Sequence, residues 1–468
     1  MAYKRVEVPA AELERQREIC AKIREGLGGA RPLAFVDTYG CQQNEADSEA
    51  LRGYIELMGF GFTEDENEAE LIVVNTCAVR GHAEMRVLGN VGALVHAKAR
   101  NPRLIVAVCG CMVQQPHMAE KIKNSFRVVD LCFGPHELWR FPELYERAAR
   151  RRGRVFEVSP CEASSRRACP CTGRAASRPG SPSCTAATTS APTASSPTSG
   201  AGALPALDDV VAEARSLVEA GYKDITLLGQ NVNSYGKDLD EGRDFADLIR
   251  EINAIPGDFL IRFMTSHPRD ATEKLFRTMA ECEKCAKHIH LPVQSGSSRV
   301  LRAMNRHYDR EKYLALVDKA RSYMPELVLT TDIIVGFPGE TAEDFAETLS
   351  LVERVRYDAM FTFIFSPREG TPAAAMPDPV PREEKQRWFD TLVETANRIS
   401  AEKHAEYAGR RLRVLVDGET GRGEYNLSAR TNGGRLVHLK GEPELVGRFI
   451  EAEITDWNTW ALYGVPAL

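Results

Sequence analysis

The chain has 468 residues, of which 43% are hydrophobic and 27% charged, and a formal net charge of −6. That length exceeds one ordinary domain, so two or three are expected. No run approaches the roughly 20 apolar residues of a membrane span. The negative balance excludes a protein that coats nucleic acid by bulk electrostatics and leaves room only for a local basic face.

The opening MAYKRVEVPAAELERQ carries charges with no apolar stretch behind them, so a cytoplasmic location without a secretory leader is expected. In that reducing compartment twelve cysteines point to cluster ligands, reactive thiols or buried small hydrophobes rather than disulfides. Residues 33 to 111 alternate strand-like and helix-like segments: PLAFVDTYGC, EADSEALRGYIELMGF, ELIVVNTC, HAEMRVLGNVGALVHAKA and RLIVAVCGC. This βαβαβ order marks a parallel sheet with helices on its faces. Cys41, Cys77 and Cys111 close the three strands, 36 and 34 residues apart. One βα unit between each places all three thiols on the carboxyl edge, where open α/β sheets hold ligands. Cys109 falls on the opposite face of its strand and reads as core.

From Cys161 to Ala206 the composition collapses to one leucine and no Val, Ile, Phe, Tyr, Trp, Met or Lys. Such a segment cannot bury enough apolar area to fold and has the composition of a flexible linker. A long structureless insertion inside a compact α/β region, however, argues that an ordinary strand has been displaced.

A second α/β stretch runs from about Leu207 to Ile399, with strand-like DITLLGQNV, FLIRFMTS, KHIHLPVQ, LVLTTDIIVGF and AMFTFIFS. Repeated βα units predict a full or partial parallel barrel, with functional residues at the C-terminal strand ends. The segments RLRVLVDG, GRLVHLKG and RFIEAEITDW near the end predict a small closed β domain.

TYGCQQNEADSE, VVNTCAVR, CGCMVQQ, ITLLGQNVNSYG, RFMTSHP, HLPVQSGSSRVLRAMNR, DIIVGFPGET and FSPREGTPAA closely resemble the MiaB-type radical-SAM tRNA methylthiotransferases across nearly the whole chain. The resemblance implies an α/β protein in three parts: a parallel α/β cluster-binding domain over 1–150, a radical-SAM partial (βα) barrel over 151–399, and a small TRAM β-barrel over 400–468. It implies two 4Fe-4S clusters and S-adenosyl-L-methionine as cofactors. The substrate would be the anticodon stem-loop of tRNA, and carbon 2 of an isopentenylated adenosine there would gain a methylthio group. Electrons would come from a flavodoxin-type donor.

Cys41, Cys77 and Cys111 suit a cluster held by three thiolates with one iron open to another ligand, and the resemblance assigns them the sulfur-bearing auxiliary cluster. Strand-end polar residues are the candidates for the S-adenosylmethionine and substrate pocket: Gln230, Asn231, Ser266, Gln294, Ser295, Gly336 and Glu340. In a barrel these converge on one mouth. No catalytic residue is singled out.

Arg262, inside a strand, calls for an acidic partner, and His267 before Pro268 reads as a turn residue. GFPGE lacks the ending of a phosphate loop. Cys282 and Cys285 stand without a second Cys-x-x-Cys pair and read as packing thiols. In the TRAM-like part, Arg410, Arg411, Arg413, Arg422, Arg430, Arg435, Lys440 and Arg448 are candidates to meet phosphates, against the ordinary reading of a solvated mixed-charge surface. Asn432-Gly433-Gly434 reads as a plain hairpin turn.

In the family a Cys-x3-Cys-x2-Cys motif holds the second cluster, at the place of the anomalous 161–206 segment. It is absent as written, and the spacing of Cys161, Cys169, Cys171 and Cys184 does not reproduce it. A shift of reading frame accounts for the loss. Ser183 to Ser199 can be encoded by a string which, read from the last base of its first codon, gives Met-Tyr-Gly-Cys-Asn-Asn-Phe-Cys-Ser-Tyr-Cys-Ile-Val-Pro-Tyr-Val. Ala168 to Ser183, read in the same way, gives Leu-Pro-Val-His-Arg-Glu-Gly-Arg-Leu-Lys-Ala-Trp-Val-Thr-Ile-Met. A single-base change shortly before Ala168, compensated between Gly202 and Leu207, is the expectation. The alternatives are a catalytically silent tRNA-binding relative and a non-functional product.

Overall fold

The computed structural model describes residues 6–40, 42–76, 81–151, 153–158, 164–165, 183–187, 207–229, 231–237, 242–264, 266–367, 371–420 and 423–467. The chain forms two compact units, one drawn mainly from the residues before 213 and the other from Ala214–Leu468. Among the described residues no helix is long and apolar enough to cross a membrane.

The first unit is a six-stranded, all-parallel sheet. In chain order it runs α1 (Ala10–Gly26), β1 (Leu33–Thr38), α2 (Gln42–Leu57), β2 (Gly61–Phe62), β3 (Leu71–Thr76), α3 (Gly81–Arg100), β4 (Ile105–Gly110), α4 (Pro116–Ser125), β5 (Leu131–Phe133), α5 (Phe141–Arg151) and β6 (Val155–Glu157). The strands lie in the order β2-β1-β3-β4-β5-β6. Every residue of β3 and β4 is buried, as expected for central strands covered on both faces. One face packs Leu51, Tyr54, Ile55, Phe141 and Leu144; the other packs Val87, Val91, Leu94 and Ile122. The three strands anticipated from the cysteine spacing are adjacent, in the order β1-β3-β4.

In the second unit, β7 (Ser183–Ala187) lies beside β8 (Asp224–Leu228), which pairs in parallel with β9 (Leu260–Phe263). The helix α6 (Leu207–Glu219) precedes β8, and α7 (Phe245–Asn253) and α8 (Glu273–Glu281) follow β8 and β9. A bridge from Ile261 to Cys285 joins this run to a second parallel set: β10 (His288–His290), β11 (Val328–Val335) and β12 (Ala359–Ile364). The helices α9 (Ser298–Ala303), α10 (Arg310–Tyr323), α11 (Ala342–Val355) and α12 (Arg382–Ala405) complete an open, barrel-like βα array. Helix starts are written locally. Asp244, Thr272, Asp309 and Thr341 each accept a first-turn amide N–H at 2.8–3.3 Å, so each strand-end loop enters its helix capped.

The chain ends in a closed five-stranded barrel: β13 (Arg411–Glu419), β14 (Leu427–Thr431), β15 (Leu436–Leu439), β16 (Phe449–Trp457) and β17 (Leu462–Pro466), in the order β13-β14-β15-β17-β16. Val414, Val416, Leu427, Val437, Leu439, Ile454 and Leu462 fill it. Closure leaves no open sheet edge.

Candidate functional site

On the first sheet, Thr38 lies opposite Asn75 and Thr76 opposite Gly110, so β1, β3 and β4 end level with one another. Cys111 follows β4 and is half-buried, and Cys109 is buried in the core as expected. Cys41 and Cys77 follow β1 and β3 and lie outside the described residues. Among the described residues no set of three His, Cys, Asp or Glu side chains is gathered for a metal ion.

What holds the strand ends level is a buried polar latch that sequence reasoning missed. Asn44 Nδ2 donates to Asn75 Oδ1 at 3.0 Å and to the Thr76 carbonyl at 3.1 Å. Asn75 Nδ2 donates back to the Asn44 carbonyl at 2.8 Å and to Ser48 Oγ at 3.0 Å. Thr38 Oγ1 reaches the same Ser48 at 2.8 Å, and Thr76 Oγ1 donates to the Cys109 carbonyl at 2.6 Å. Gly110 has φ of 98°, and a Cβ there would overlap the Thr76 carbonyl and the Asn75 side chain. Only glycine fits between the latch and Cys111. The helices α2 and α3 begin at Gln42 and Gly81, so their positive N-terminal ends meet the edge where thiolates would stand. Donor set, level strand ends and helix polarity all suit an anionic cluster.

At the barrel mouth, Asn231 is buried. Its Nδ2 donates to Asp270 Oδ2 at 2.7 Å, while its Oδ1 has no partner among the described residues. Ser266 is buried with its Oγ equally unmatched, and its amide donates to the His290 carbonyl at 3.2 Å. Asn233 holds the neighbouring loop through both backbone groups of His267, at 2.9 and 3.1 Å. His267 Nδ1 accepts the Arg269 amide at 3.2 Å, and the ring meets Tyr308 edge-on at 5.7 Å. Burial and the nearby Arg306 guanidinium push His267 down to about 4, so it stays a neutral acceptor at physiological pH. Gln230 lies outside the described residues.

Gln294 takes a left-handed φ of 71° and bridges β11 through both backbone groups, at 2.9 Å each. Ser295 Oγ accepts the Ser297 amide at 3.2 Å and lies 3.4 Å from Thr348 Oγ1. Glu340 Oε2 accepts the Gly336 and Phe337 amides at 2.5 and 3.1 Å, whereas Oε1 is buried with no partner among the described residues. Burial raises the Glu340 carboxyl to about 7 against the pull of the two amides. Asn231, Ser266 and Glu340 therefore keep unmet polar atoms at the mouth. Ser295 and Gly336 are occupied in holding their loops.

The concave face carries groups that the strand-end search passed over. His290 Nε2 stands 3.5 Å from Asp332 Oδ1, and its Nδ1 is 3.0 Å from Thr330 Oγ1. On β12, Phe361 lies in register with Asp332 and Phe363 with Ile334, and both rings are exposed. The alternation His-Ile-His was the available signal, since period two puts both histidines on one face. Burial and Arg262 push His288 down to about 3, so it too is uncharged.

A model described as the radical SAM superfamily matches residues 183–352 and a TRAM domain model residues 405–467, while the uncharacterized protein family UPF0004 matches 34–134. The tRNA-2-methylthio-N(6)-dimethylallyladenosine synthase of Thermoanaerobacter sp. (strain X514) is 43% identical over 98% of this chain and 97% of its own. That of Alkaliphilus oremlandii is 43% identical over 98% of each chain, and that of Clostridium tetani 44% identical over 92% and 95%. The chain belongs to this synthase family. Among solved structures, TsrM, a radical S-adenosylmethionine methyltransferase from Kitasatospora setae, matches in fold with a TM-score of 0.50 at 14% identity, covering 74% of this chain and 77% of that one. Coverage this complete by named synthases does not favour a silent relative.

Family membership sets what the second-cluster segment must be compared with. As written it does not fit: Cys161, Cys169 and Cys171 lie outside the described residues, Cys184 falls within β7, and none stands at the Cys-x3-Cys-x2-Cys spacing. Cys282 and Cys285 are buried, and burial raises Cys285 to about 12, which makes it an inert packing thiol.

The TRAM part corrects two expectations. The Asn432-Gly433-Gly434 turn is no idle hairpin, because it seats at the N-terminal ends of the barrel strands. Arg262 Nε pairs with Asp224 at 2.7 Å while its other nitrogens donate to the Asn432 and Thr431 carbonyls at 2.8 and 2.9 Å. Asn432 Oδ1 accepts the Lys287 amide at 2.8 Å, and a Cβ on Gly433 would overlap Val328. Arg435 is buried against Asp358, so it does not meet phosphate. Arg413 grips Asp258 through both oxygens, at 2.6 and 2.7 Å, and Arg410 reaches Glu326 at 2.7 Å. Arg430 pairs with Asp417 at 2.9 Å, Lys440 with Glu424, and Arg411 stands 4.0 Å from Glu453. Arg422 lies outside the described residues.

Proposed function

We propose that this chain performs the reaction its relatives are named for, placing a methylthio group on carbon 2 of N(6)-dimethylallyladenosine in the anticodon stem-loop of tRNA. We infer that it works in the cytoplasm with a flavodoxin-type electron donor. Cys41, Cys77 and Cys111 would hold the first 4Fe-4S cluster. When bound, such a cluster has one iron open to carry a sulfur atom. The observation that carries the reading is the level ending of β1, β3 and β4 on the Asn44–Asn75 latch, which supports delivery of three thiols to one edge. Asn231, Ser266, Glu340, Gln230 and Gln294 would line the S-adenosylmethionine pocket, the first three with buried polar atoms still to be matched.

The second cluster requires the restored frame, and no step is assigned to the chain as written. Genomic resequencing over codons 155 to 210 tests this. Restoration of Cys-x3-Cys-x2-Cys is the expected result, and a confirmed published frame overturns it. In parallel, iron and sulfide are measured on the chain as written and on the frame-restored chain. The reading expects one cluster in the former and two in the latter, with Cys111→Ala removing the first in both. Retention of that cluster by Cys111→Ala would sink the ligand assignment.

A further inference from the structure

Most described cations of the TRAM barrel stand beside carboxylates, and the barrel also displays an unusual set of rings. β15 and β17 run in parallel with His438 opposite Tyr463. Alternation sends their neighbours Val437, Leu439 and Leu462 into the core and these two rings outward. The His438 and Tyr463 centroids are 5.4 Å apart, and Tyr425 meets Tyr463 edge-on at 4.9 Å. Lys440 Nζ lies over the Tyr425 ring at 5.2 Å.

The last residue of β16 and the turn after it add two tryptophans. Trp460 is 73% exposed and Trp457 38%. The turn is nevertheless tightly held. Asn458 Oδ1 accepts the Trp460 and Ala461 amides at 2.7 and 2.8 Å, and Asn458 Nδ2 donates to Tyr463 Oη at 2.8 Å. Its carbonyl bonds His404 Nδ1 at 2.7 Å, and Ser400 Oγ donates to the Thr459 carbonyl at 2.8 Å. A large indole shown to solvent on a pinned backbone gives up core packing and loses little entropy when a ligand covers it. Half-exposed Tyr, His and Trp rings beside a lysine are the surface on which nucleobases stack.

We propose that the C-terminal barrel grips unpaired bases of its RNA by stacking on Trp460, Trp457 and the Tyr463–Tyr425–His438 cluster, with phosphate neutralisation a minor part. This rests on the reading of tRNA as substrate. The test is the affinity of the full chain, measured by fluorescence anisotropy across a salt series, for an anticodon stem-loop RNA and for a fully paired RNA of equal length. Trp460→Ala should weaken stem-loop binding about tenfold or more. The slope of log K against log salt should stay unchanged, where loss of one phosphate contact would alter it by about 0.7. Trp460→Phe should recover most of the affinity, and binding of the paired RNA should not move. The exposed side chain makes a folding defect easy to separate, since the unfolding midpoint of Trp460→Ala should match the parent. Unchanged stem-loop affinity in both Trp460→Ala and Trp457→Ala overturns the stacking proposal and leaves the tRNA reading intact. A parent chain that binds neither RNA overturns the tRNA reading itself.

Discussion

The two ends of the barrel hold their buried polar groups differently. At the N-terminal end, sealed by the TRAM turn, Arg262, Asp224, Asp358, Arg435 and Lys403 are held in ion pairs and hydrogen bonds to one another and to the turn, although Asp224 Oδ1 and Arg435 Nε are themselves buried with no partner among the described residues. At the C-terminal mouth, Asn231, Ser266 and Glu340 each bury a polar atom with no partner among the described residues. A protein keeps such unmatched atoms at a cost, because a desolvated donor or acceptor left alone loses stability. At the sealed end each unmatched atom belongs to a residue already held in an ion pair, whereas Asn231, Ser266 and Glu340 stand in none among the described residues, which leaves their matching open to a ligand.

Breaking that contrast at the sealed end should have the largest effect. Arg262→Ala leaves Asp224, 8% exposed, without its cation and strips two turn carbonyls of donors. Denaturant unfolding should show a loss of about 3–5 kcal/mol, and a loss below about 1 kcal/mol would mean that the turn is merely resting there. Next comes Glu340, whose folded carboxyl is raised to about 7. A raised carboxyl stabilises the fold below its unfolded value and loses that contribution as pH rises through the folded one. Stability should therefore fall between about pH 4.5 and 7, by at most about 3 kcal/mol, and Glu340→Gln should flatten that slope in melting curves. A variant as pH-dependent as the parent would place the titration elsewhere.

Gly433→Ala forces a methyl into Val328 and should cost about 1–3 kcal/mol, visible as a lower melting temperature. Ser266→Ala at the mouth should be the mildest, within about 0.5 kcal/mol of the parent or slightly stabilised, because it removes an unmatched hydroxyl. Its effect should instead be weaker S-adenosylmethionine binding by equilibrium dialysis. A large stability loss with unchanged binding would make Ser266 part of the scaffold.

Much of the fold was legible in local patterns. The segments ELIVVN and RLIVAV became the central strands β3 and β4, and the βα alternation after Leu207 became the second array. The strand-end cysteines were visible as spacing. The latch was not, because Asn44 and Asn75 are 31 residues apart and meet only once α2 packs beside β3. Nor was the role of the Asn432–Gly434 turn, whose partner Arg262 lies 170 residues away. Among the basic residues of the TRAM part, Arg435 was hidden for the same reason, since it is buried against Asp358. Charge is visible in a sequence, but whether a carboxylate already occupies it is not.

By itself the sequence determined the family, the order of βα units and the absence, as written, of a Cys-x3-Cys-x2-Cys motif, because these depend on periodicity, residue type and spacing along the chain. Only the tertiary structure decided which polar atoms are matched, which arginines are engaged and which rings face solvent, because those depend on contacts between residues far apart in the chain.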